Sequence, residues 1–214
     1  MAEEAGNNSA APPVDAGDAV ISQLTAALHP LVADADFLSP TRKQALLEAL
    51  ESLSETPPAT RMPTTKDVDW QTPLARQAEG IGRAANELAL VLSERSGIPI
   101  DITGYLASEA KTRLMLSVLE AADDDALLAY FEERKAHGLL DADTLLNYAA
   151  LGGSRVFFAA LAAAVDLKLD VEMVGAFIED GGMTILERLL LRTDTSETAR
   201  EAIMQAYRSA CGDQ

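Results

Sequence analysis

The feature that most constrains the fold is an interrupted helical pattern between His137 and Leu191. Apolar residues recur there at the spacing of an α-helix. The pattern breaks at Gly138, at Gly152–Gly153, between Asp166 and Asp170, and at Gly181–Gly182. Helices this short are unstable alone in water and must pack against one another. The segment therefore predicts a stack of short helices joined by tight turns.

The composition of the 214-residue chain favours helices over sheets. Ala and Leu dominate the 48% of residues that are apolar, whereas aromatic residues make up only 5%. Ala and Leu are strong helix formers, while strands favour β-branched and aromatic residues. No segment alternates polar and apolar residues for long enough to indicate a strand. We predict an all-α protein of stacked short antiparallel helices.

Proline and polar residues divide the chain into four predicted parts. Residues 1–16 are rich in Ala, Asn, Pro and Glu and are expected to be a disordered acidic tail. Residues 17–53 are expected to form a pair of helices. Residues 54–72 have the composition of a proline-rich linker, which Trp70 is expected to anchor onto the core. Residues 73–210 are expected to form the main helical domain.

Capping residues predict where the helices begin. Ser39–Pro40 and Thr72–Pro73 each combine an N-cap residue with a proline at the first helical position. Pro30 is expected to kink the first helix or to end it near His29. A separate short helix is expected from Met183 to Leu191. The run Asp123–Asp125 is expected to start a further helix. The other expected N-caps are Asp18, Asp141 or Asp143, Ser154, Asp170 and Thr195.

The charge balance restricts the class of partner. The chain has 34 acidic and 17 basic residues, for a net charge of −17, and no Lys/Arg cluster exceeds two neighbours. Nucleic-acid binding needs a basic face that neutralises phosphates, and anionic membranes attract basic segments. We therefore expect no nucleic-acid partner and no binding to an anionic membrane surface. An acidic surface instead favours a basic or amphipathic protein or peptide.

Cysteine content and hydropathy predict a cytoplasmic protein without a membrane span. Cys211 is the single cysteine, so no disulfide forms within the chain, as is usual in a reducing compartment. The first twenty residues lack the basic start and apolar core of a signal peptide. The longest apolar run, Val156–Val165, is ten residues long and too short to cross a bilayer.

No group of residues has the spacing that catalysis or metal binding requires. His29 and His137 each lie at a predicted helix end, and neither has a partner three or four residues away other than Arg134 or Asp141. Gly152–Arg155 lacks the pattern of a nucleophile elbow and of a phosphate loop. Asp141–Asp143 lacks the later ligands of a calcium loop. We therefore expect no catalytic residue, no cofactor and no metal ion.

Small and apolar residues in the C-terminal half resemble a known family. In order, they are Gly138-Leu139-Leu140, Leu145-Leu146, Gly152, Phe157-Phe158-Ala159-Ala160-Leu161, Val171, Ile178, Asp180-Gly181-Gly182, Leu186 and Leu189. Over about residues 105–208 this order resembles domain of unknown function 2336, a helical family found mainly in alphaproteobacteria. The family often has an acidic residue before the paired Phe, where this chain has Ser154-Arg155-Val156. The resemblance implies HEAT-like antiparallel helices in the cytoplasm and no catalytic residues.

The predicted fold is therefore either a HEAT-like helical repeat or an orthogonal bundle. Stacked helices present extended concave surfaces, which usually bind proteins or peptides. We predict a non-enzymatic interaction, scaffold or regulatory module with an acidic surface. The candidate partner-binding residues are Ser154, Arg155, Phe157, Phe158, Asp123, Asp124 and Asp125.

Two other functions stay open at this point. One is a self-associating regulatory domain, a homodimer that uses an apolar helix face around Val156–Val165 or Ile178–Leu191. The other is a small-molecule binder or an enzyme with its site between helices.

Overall fold

The computed structural model describes residues 16–55, 69–151, 154–165 and 169–212. Within these ranges the regular elements are all helices, so the all-α prediction is confirmed. The predicted tail lies outside the described residues except for Ala16, as do most of the predicted linker and the predicted breaks at 152–153 and 166–168. The helices are α1 (Ala16–Asp34), α2 (Pro40–Glu55), α3 (Pro73–Ser96), α4 (Ile100–Ala121), α5 (Asp124–Ala136), α6 (Ala142–Ala149), α7 (Arg155–Ala164), α8 (Val171–Leu190) and α9 (Glu197–Cys211).

Side-chain caps set the start of most of these helices. At each cap an Asp, Ser or Thr oxygen accepts a hydrogen bond from the backbone N–H three residues later, which has no partner within the helix. The capping residues are Ser39, Thr72, Asp123, Asp141, Ser154, Asp170 and Ser196. Thr195 was predicted to cap α9, but its hydroxyl pairs with that of Thr193 at 2.8 Å, and Ser196 takes the role instead.

Two predicted boundaries of the first helix differ from the structure. α1 begins two residues before the expected cap Asp18 and continues through Pro30 to Asp34. The helix persists past the proline because Leu28 and Val32 on either side are fully buried.

The described residues belong to two compact units. The first contains residues 16–55 and 80–114, and the second contains residues 69–79 and those from 115 onward. α3 and α4 each contribute residues to both units. This division differs from the predicted main domain of residues 73–210, because residues 80–114 group with the N-terminal helices.

The first unit has an aliphatic core in which α1 packs against α2. Thr103 is a fully buried polar residue of this core, and its hydroxyl donates to the Ala89 carbonyl at 2.9 Å. That bond satisfies the hydroxyl within the core. The largest fully buried side chains of the unit are Leu24, Leu28, Leu46, Leu50, Ile81, Leu88 and Leu92, with Leu106 only 2% exposed.

The second unit is built around α7. All eight residues from Val156 to Ala163 are buried, so this helix has no solvent-facing side over that length. A helix that is apolar around its whole circumference must be covered on every side. α5, α6 and α8 supply that cover, and the Tyr207 ring of α9 lies 5.4 Å from the Phe157 ring.

Two glycines bend α8 in its middle. Gly182 has φ 57° and ψ −147°, a conformation that residues with a Cβ adopt only with strain. A Cβ on the preceding Gly181 would collide with Cγ1 of Ile185. The predicted helix break at Gly181–Gly182 is therefore confirmed.

We expect the substitution Gly182→Ala to lower the free energy of unfolding by about 1–3 kcal/mol, because the new Cβ strains the backbone. Gly104→Ala is the matched control, since Gly104 is helical and a Cβ there meets nothing within 4 Å. That control should gain about 0.5–1 kcal/mol. Urea unfolding followed by circular dichroism measures both changes. A Gly182→Ala variant as stable as the parent would refute the strained turn.

Candidate functional site

An open groove of about 930 Å³ lies in the second unit between α5, α7 and the start of α8. We call it the α5–α8 groove. Its apolar lining comprises Leu128 and Ala136 of α5, Ala162, Ala163 and Val165 at the end of α7, and Leu169 and Met173 beside α8. Its charged lining residues are Glu132, Lys135 and Asp170. The groove is thus an apolar channel with a charged rim.

Local sequence explains the shape of the groove. On α5, Leu128, Glu132 and Lys135 recur at spacings of four and three residues, which places them on one helix face. The floor is made by Ala162 and Ala163, which are 3% and 5% exposed. Because their side chains are single methyl groups, they leave open the volume that leucines at the same positions would fill.

Lys135 is held by the end of α7. Its Nζ donates a hydrogen bond to the carbonyl oxygen of Ala164 at 3.2 Å. The last carbonyls of a helix lack partners within the helix and carry partial negative charge, so a cation is favoured there. The carboxylates of Glu132 and Asp170, both on exposed residues, are then the charges that face solvent along the rim.

Two large apolar side chains continue the groove surface along α8. Met173 and Phe177 are four residues apart, hence on one helix face, and they are 47% and 46% exposed. The adjacent residues Val174 and Ile178 are buried. α8 therefore buries one apolar stripe in the core and exposes a second pair of apolar side chains to solvent.

Sequence reasoning missed Met173, Phe177 and the groove. The available signal was the second apolar pair itself, because a helix with one buried face needs apolar residues on that face alone.

The structure places the predicted pair Phe157 and Phe158 in the core. These side chains are 0% and 7% exposed, so they are not part of a partner-binding surface. Their rings contact each other with centroids 6.1 Å apart. Phe157 and Phe158 lie in the core because α7 is short and is covered by its neighbours on all of its faces.

The other predicted residues are used mainly for local contacts. Ser154 and Asp123 cap α7 and α5. The Arg155 guanidinium bonds Oδ1 of Asp124 through Nε at 2.8 Å and reaches the Ala122 carbonyl at 2.9 Å. The two charged side chains are 49% and 38% exposed, so this ion pair contributes less than about 1 kcal/mol. Asp125 is exposed on α5, two turns before Glu132.

On the helix faces that were predicted for a homodimer, most apolar side chains are packed inside the protein itself. Val156 and Val165 and the residues between them are buried, apart from the partly buried Ala164. In the range 178–191, Leu186, Leu189 and Leu190 are buried, while Leu191 is 58% exposed.

Glu133, which lies on a different face of α5 from Glu132, anchors the start of α3. The Glu133 carboxylate accepts hydrogen bonds from the Gln71 N–H at 2.5 Å, the Thr72 N–H at 3.0 Å and the Thr72 hydroxyl at 2.7 Å. Trp70 packs against the core of the unit with its ring centroid 5.1 Å from that of His137. The predicted anchoring role of Trp70 is thus seen in the structure.

Hydrogen bonding and burial have opposite effects on the pKa of Glu133, and the net effect is that of hydrogen bonding. Burial opposes ionisation of Glu133, but the bonds from Gln71 and Thr72 and the nearby His137 favour the carboxylate, so the pKa of Glu133 is lowered. Nearby, burial raises the pKa of Tyr130 and of Tyr148.

The Arg134 side chain joins these tyrosines to the loop after α5. Its Nη2 donates to the Leu139 carbonyl at 2.9 Å, and its Nη1 lies 3.4 Å from the Tyr130 hydroxyl. The hydroxyl and N–H of Thr144 bond the Asp141 carboxylate and, with a smaller effect of Arg134, lower the pKa of Asp141. These polar groups therefore hold α5, α6 and the intervening loop together.

Two further structural findings bear on function. In the described ranges, no three His, Cys, Asp or Glu side chains come together in an arrangement that would hold a metal ion. No helix within those same ranges is long and apolar enough to cross a membrane.

Comparison of the chain with protein-family models, with curated proteins and with solved structures found no match. The resemblance of residues 105–208 to domain of unknown function 2336 therefore stays a prediction.

Glu133→Gln should lower the free energy of unfolding at pH 7 by roughly 1 kcal/mol, because a neutral amide accepts these hydrogen bonds less strongly. The folded pKa lies below the ordinary 4.5, so the stabilisation is present above that pH and is lost as pH falls through the folded pKa. The difference between parent and variant should shrink in acid. Urea titrations between neutral and acidic pH, followed by Trp70 fluorescence, measure it.

Glu132→Gln is the control for this prediction. Glu132 is the exposed neighbour on the same helix, and its substitution should change stability by less than about 0.5 kcal/mol. Equal losses in the two variants, or a Glu133→Gln loss that is independent of pH, would contradict the anchor.

Proposed function

We propose that this protein is a non-enzymatic interaction module whose second unit binds a basic, amphipathic helix of a partner protein in the α5–α8 groove. The observation that carries the proposal is the exposure of Met173 and Phe177 beside an apolar floor with an acidic rim. With it we propose the cytoplasmic location and the family membership expected from the sequence.

The form of the groove favours a helix over a small molecule. Small-molecule sites usually enclose most of the ligand surface, whereas this channel is open along its length. Helix-in-groove recognition instead uses an apolar channel that receives side chains at helical spacing. The Ala162–Ala163 floor allows the backbone of a bound helix to come close, and Met173 with Phe177 offers contact area along one edge.

Charge favours a basic partner. Glu132 and Asp170 line the rim, Asp125 lies on the same face of α5, and the Lys135 ammonium is bound to a helix end. The whole chain carries a net charge of −17. A field of this sign increases the rate of encounter with Lys- and Arg-bearing segments, and salt weakens the effect.

Self-association through the same face of α8 is the second candidate, because Met173 and Phe177 would also be covered by a second copy. A twofold interface brings a surface against its own copy. Asp170 and Asp180 on the exposed part of α8 would then approach their counterparts, and like charges oppose each other. This repulsion favours a different, basic partner.

The proposal is tested with a fluorescent 18-residue peptide of Leu, Ala and Lys, patterned as an amphipathic helix, whose binding is measured by anisotropy. The double variant Met173→Ser/Phe177→Ser should weaken binding about tenfold, because it removes apolar contacts worth roughly 1.4 kcal/mol. Both side chains are about half exposed, so the melting temperature should change little.

Leu191→Ser is the matched control, since Leu191 is 58% exposed but does not line the groove. It should bind the peptide like the parent, and a scrambled peptide of the same composition should bind weakly to all variants. Tight binding by the double variant would overturn the proposal. A parent dimer in sedimentation that Met173→Ser/Phe177→Ser dissociates would favour self-association instead.

A further inference from the structure

The first unit carries an exposed aromatic pair. Phe37 lies in the turn between α1 and α2, and Tyr105 lies on α4. Their ring centroids are 5.9 Å apart with an interplanar angle of 78°. The side chains are 58% and 56% exposed. The two rings therefore form a nearly right-angled corner open to solvent, which we call the aromatic corner.

The core of the unit does not require these rings to be aromatic. The residues that follow them, Leu38 and Leu106, are 4% and 2% exposed and provide the buried contacts of the same two segments. Contiguous exposed apolar groups, unlike single ones, often mark a surface that contacts a ligand or partner. An edge-to-face pair held by two separate segments is a preformed surface of this kind.

Carboxylates surround the aromatic corner. Asp34 and Asp36 lie three residues and one residue before Phe37, and both are exposed. Asp101 and Glu109 lie one helical turn before and after the tyrosine on the same face of α4. In the part of the chain that the structure describes, none of these four carboxylates forms a salt bridge with Lys or Arg.

One basic side chain of the first unit, Lys43, is bound to the end of a helix. Lys43 on the first turn of α2 donates its Nζ hydrogen bond to the Ala33 carbonyl at 2.7 Å. Ala33 belongs to the last turn of α1, where carbonyl groups lack helical partners and attract a cation. The carboxylates near the rings thus remain available to a positive charge from another molecule.

We propose that the aromatic corner binds an arginine side chain of a partner protein. Cations bind the negative face of aromatic rings, and groups of exposed aromatic rings are used to recognise charged nitrogen groups. Arginine fits better than lysine because its planar guanidinium stacks on a ring while its N–H groups bond a carboxylate. The inference stands on the first unit alone and does not depend on the α5–α8 groove.

The test is a titration of the ¹⁵N-labelled full chain with acetyl-Arg-Gly-Arg-Gly-Arg-amide, followed by backbone amide shifts. The control peptide has citrulline in place of each arginine, which keeps the shape of the side chain and removes its charge. We expect shifts at residues 36–38 and 104–106, with affinity at least about fivefold lower for the citrulline peptide.

Variants distinguish the contribution of the aromatic rings to peptide binding from that of the carboxylates and from effects on folding. Tyr105→Ala and Phe37→Ala should each lower arginine-peptide affinity about three- to fivefold, while Tyr105→Phe, which keeps the ring face, should bind like the parent. The double variant Asp34→Asn/Asp101→Asn should bind the arginine peptide more weakly, and its affinity should depend less on salt concentration. Leu191→Ala removes an exposed apolar side chain of the second unit that does not line the α5–α8 groove, and it should leave the shifts at 36–38 and 104–106 unchanged.

Two results would overturn the inference. One is equal affinity for the arginine and citrulline peptides, which would show that charge plays no part. The other is unchanged affinity in Tyr105→Ala with an unaltered circular dichroism spectrum, which would place binding away from the aromatic corner.

Discussion

The complete burial of α7 is the constraint on which the second unit depends. A ten-residue helix is unstable alone, and its eight consecutive buried residues leave no face for solvent. α5, α6 and α8 are therefore fixed by the need to cover it. The groove follows from the same constraint, because the last turn of α7 offers only Ala162 and Ala163 as a floor between α5 and α8. The interaction surface that we propose thus lies at the C-terminal end of α7.

Basic and acidic side chains have different uses in this chain. Lys43, Lys135, Arg134 and Arg155 each donate to a backbone carbonyl at or just beyond a helix end. Such contacts satisfy carbonyls that have no helical partner. Acidic residues outnumber the basic ones by two to one, and many remain exposed. The net negative charge follows from this composition, and both proposed binding surfaces use it.

Features set by neighbouring residues could be predicted from the sequence. The caps at Asp141, Ser154 and Asp170 depend on hydrogen bonds within one turn, and the break at Gly182 depends on backbone conformation. The path of α1 through Pro30 could not be predicted in this way, because burial on both sides of the proline outweighs its local preference. The groove and the aromatic corner each need segments distant in sequence to meet, and periodicity within one segment carries no information about that.

Hydrogen exchange of the full chain, with and without the amphipathic Leu/Ala/Lys peptide, tests the central role of α7 most directly. The account predicts that α7 amides exchange most slowly in the second unit, since they open only when the whole unit unfolds. It also predicts that added peptide slows exchange in α5 and in the first half of α8 but not in α9. Exchange in α7 as fast as in α9, or protection by the peptide spread evenly over the unit, would contradict it.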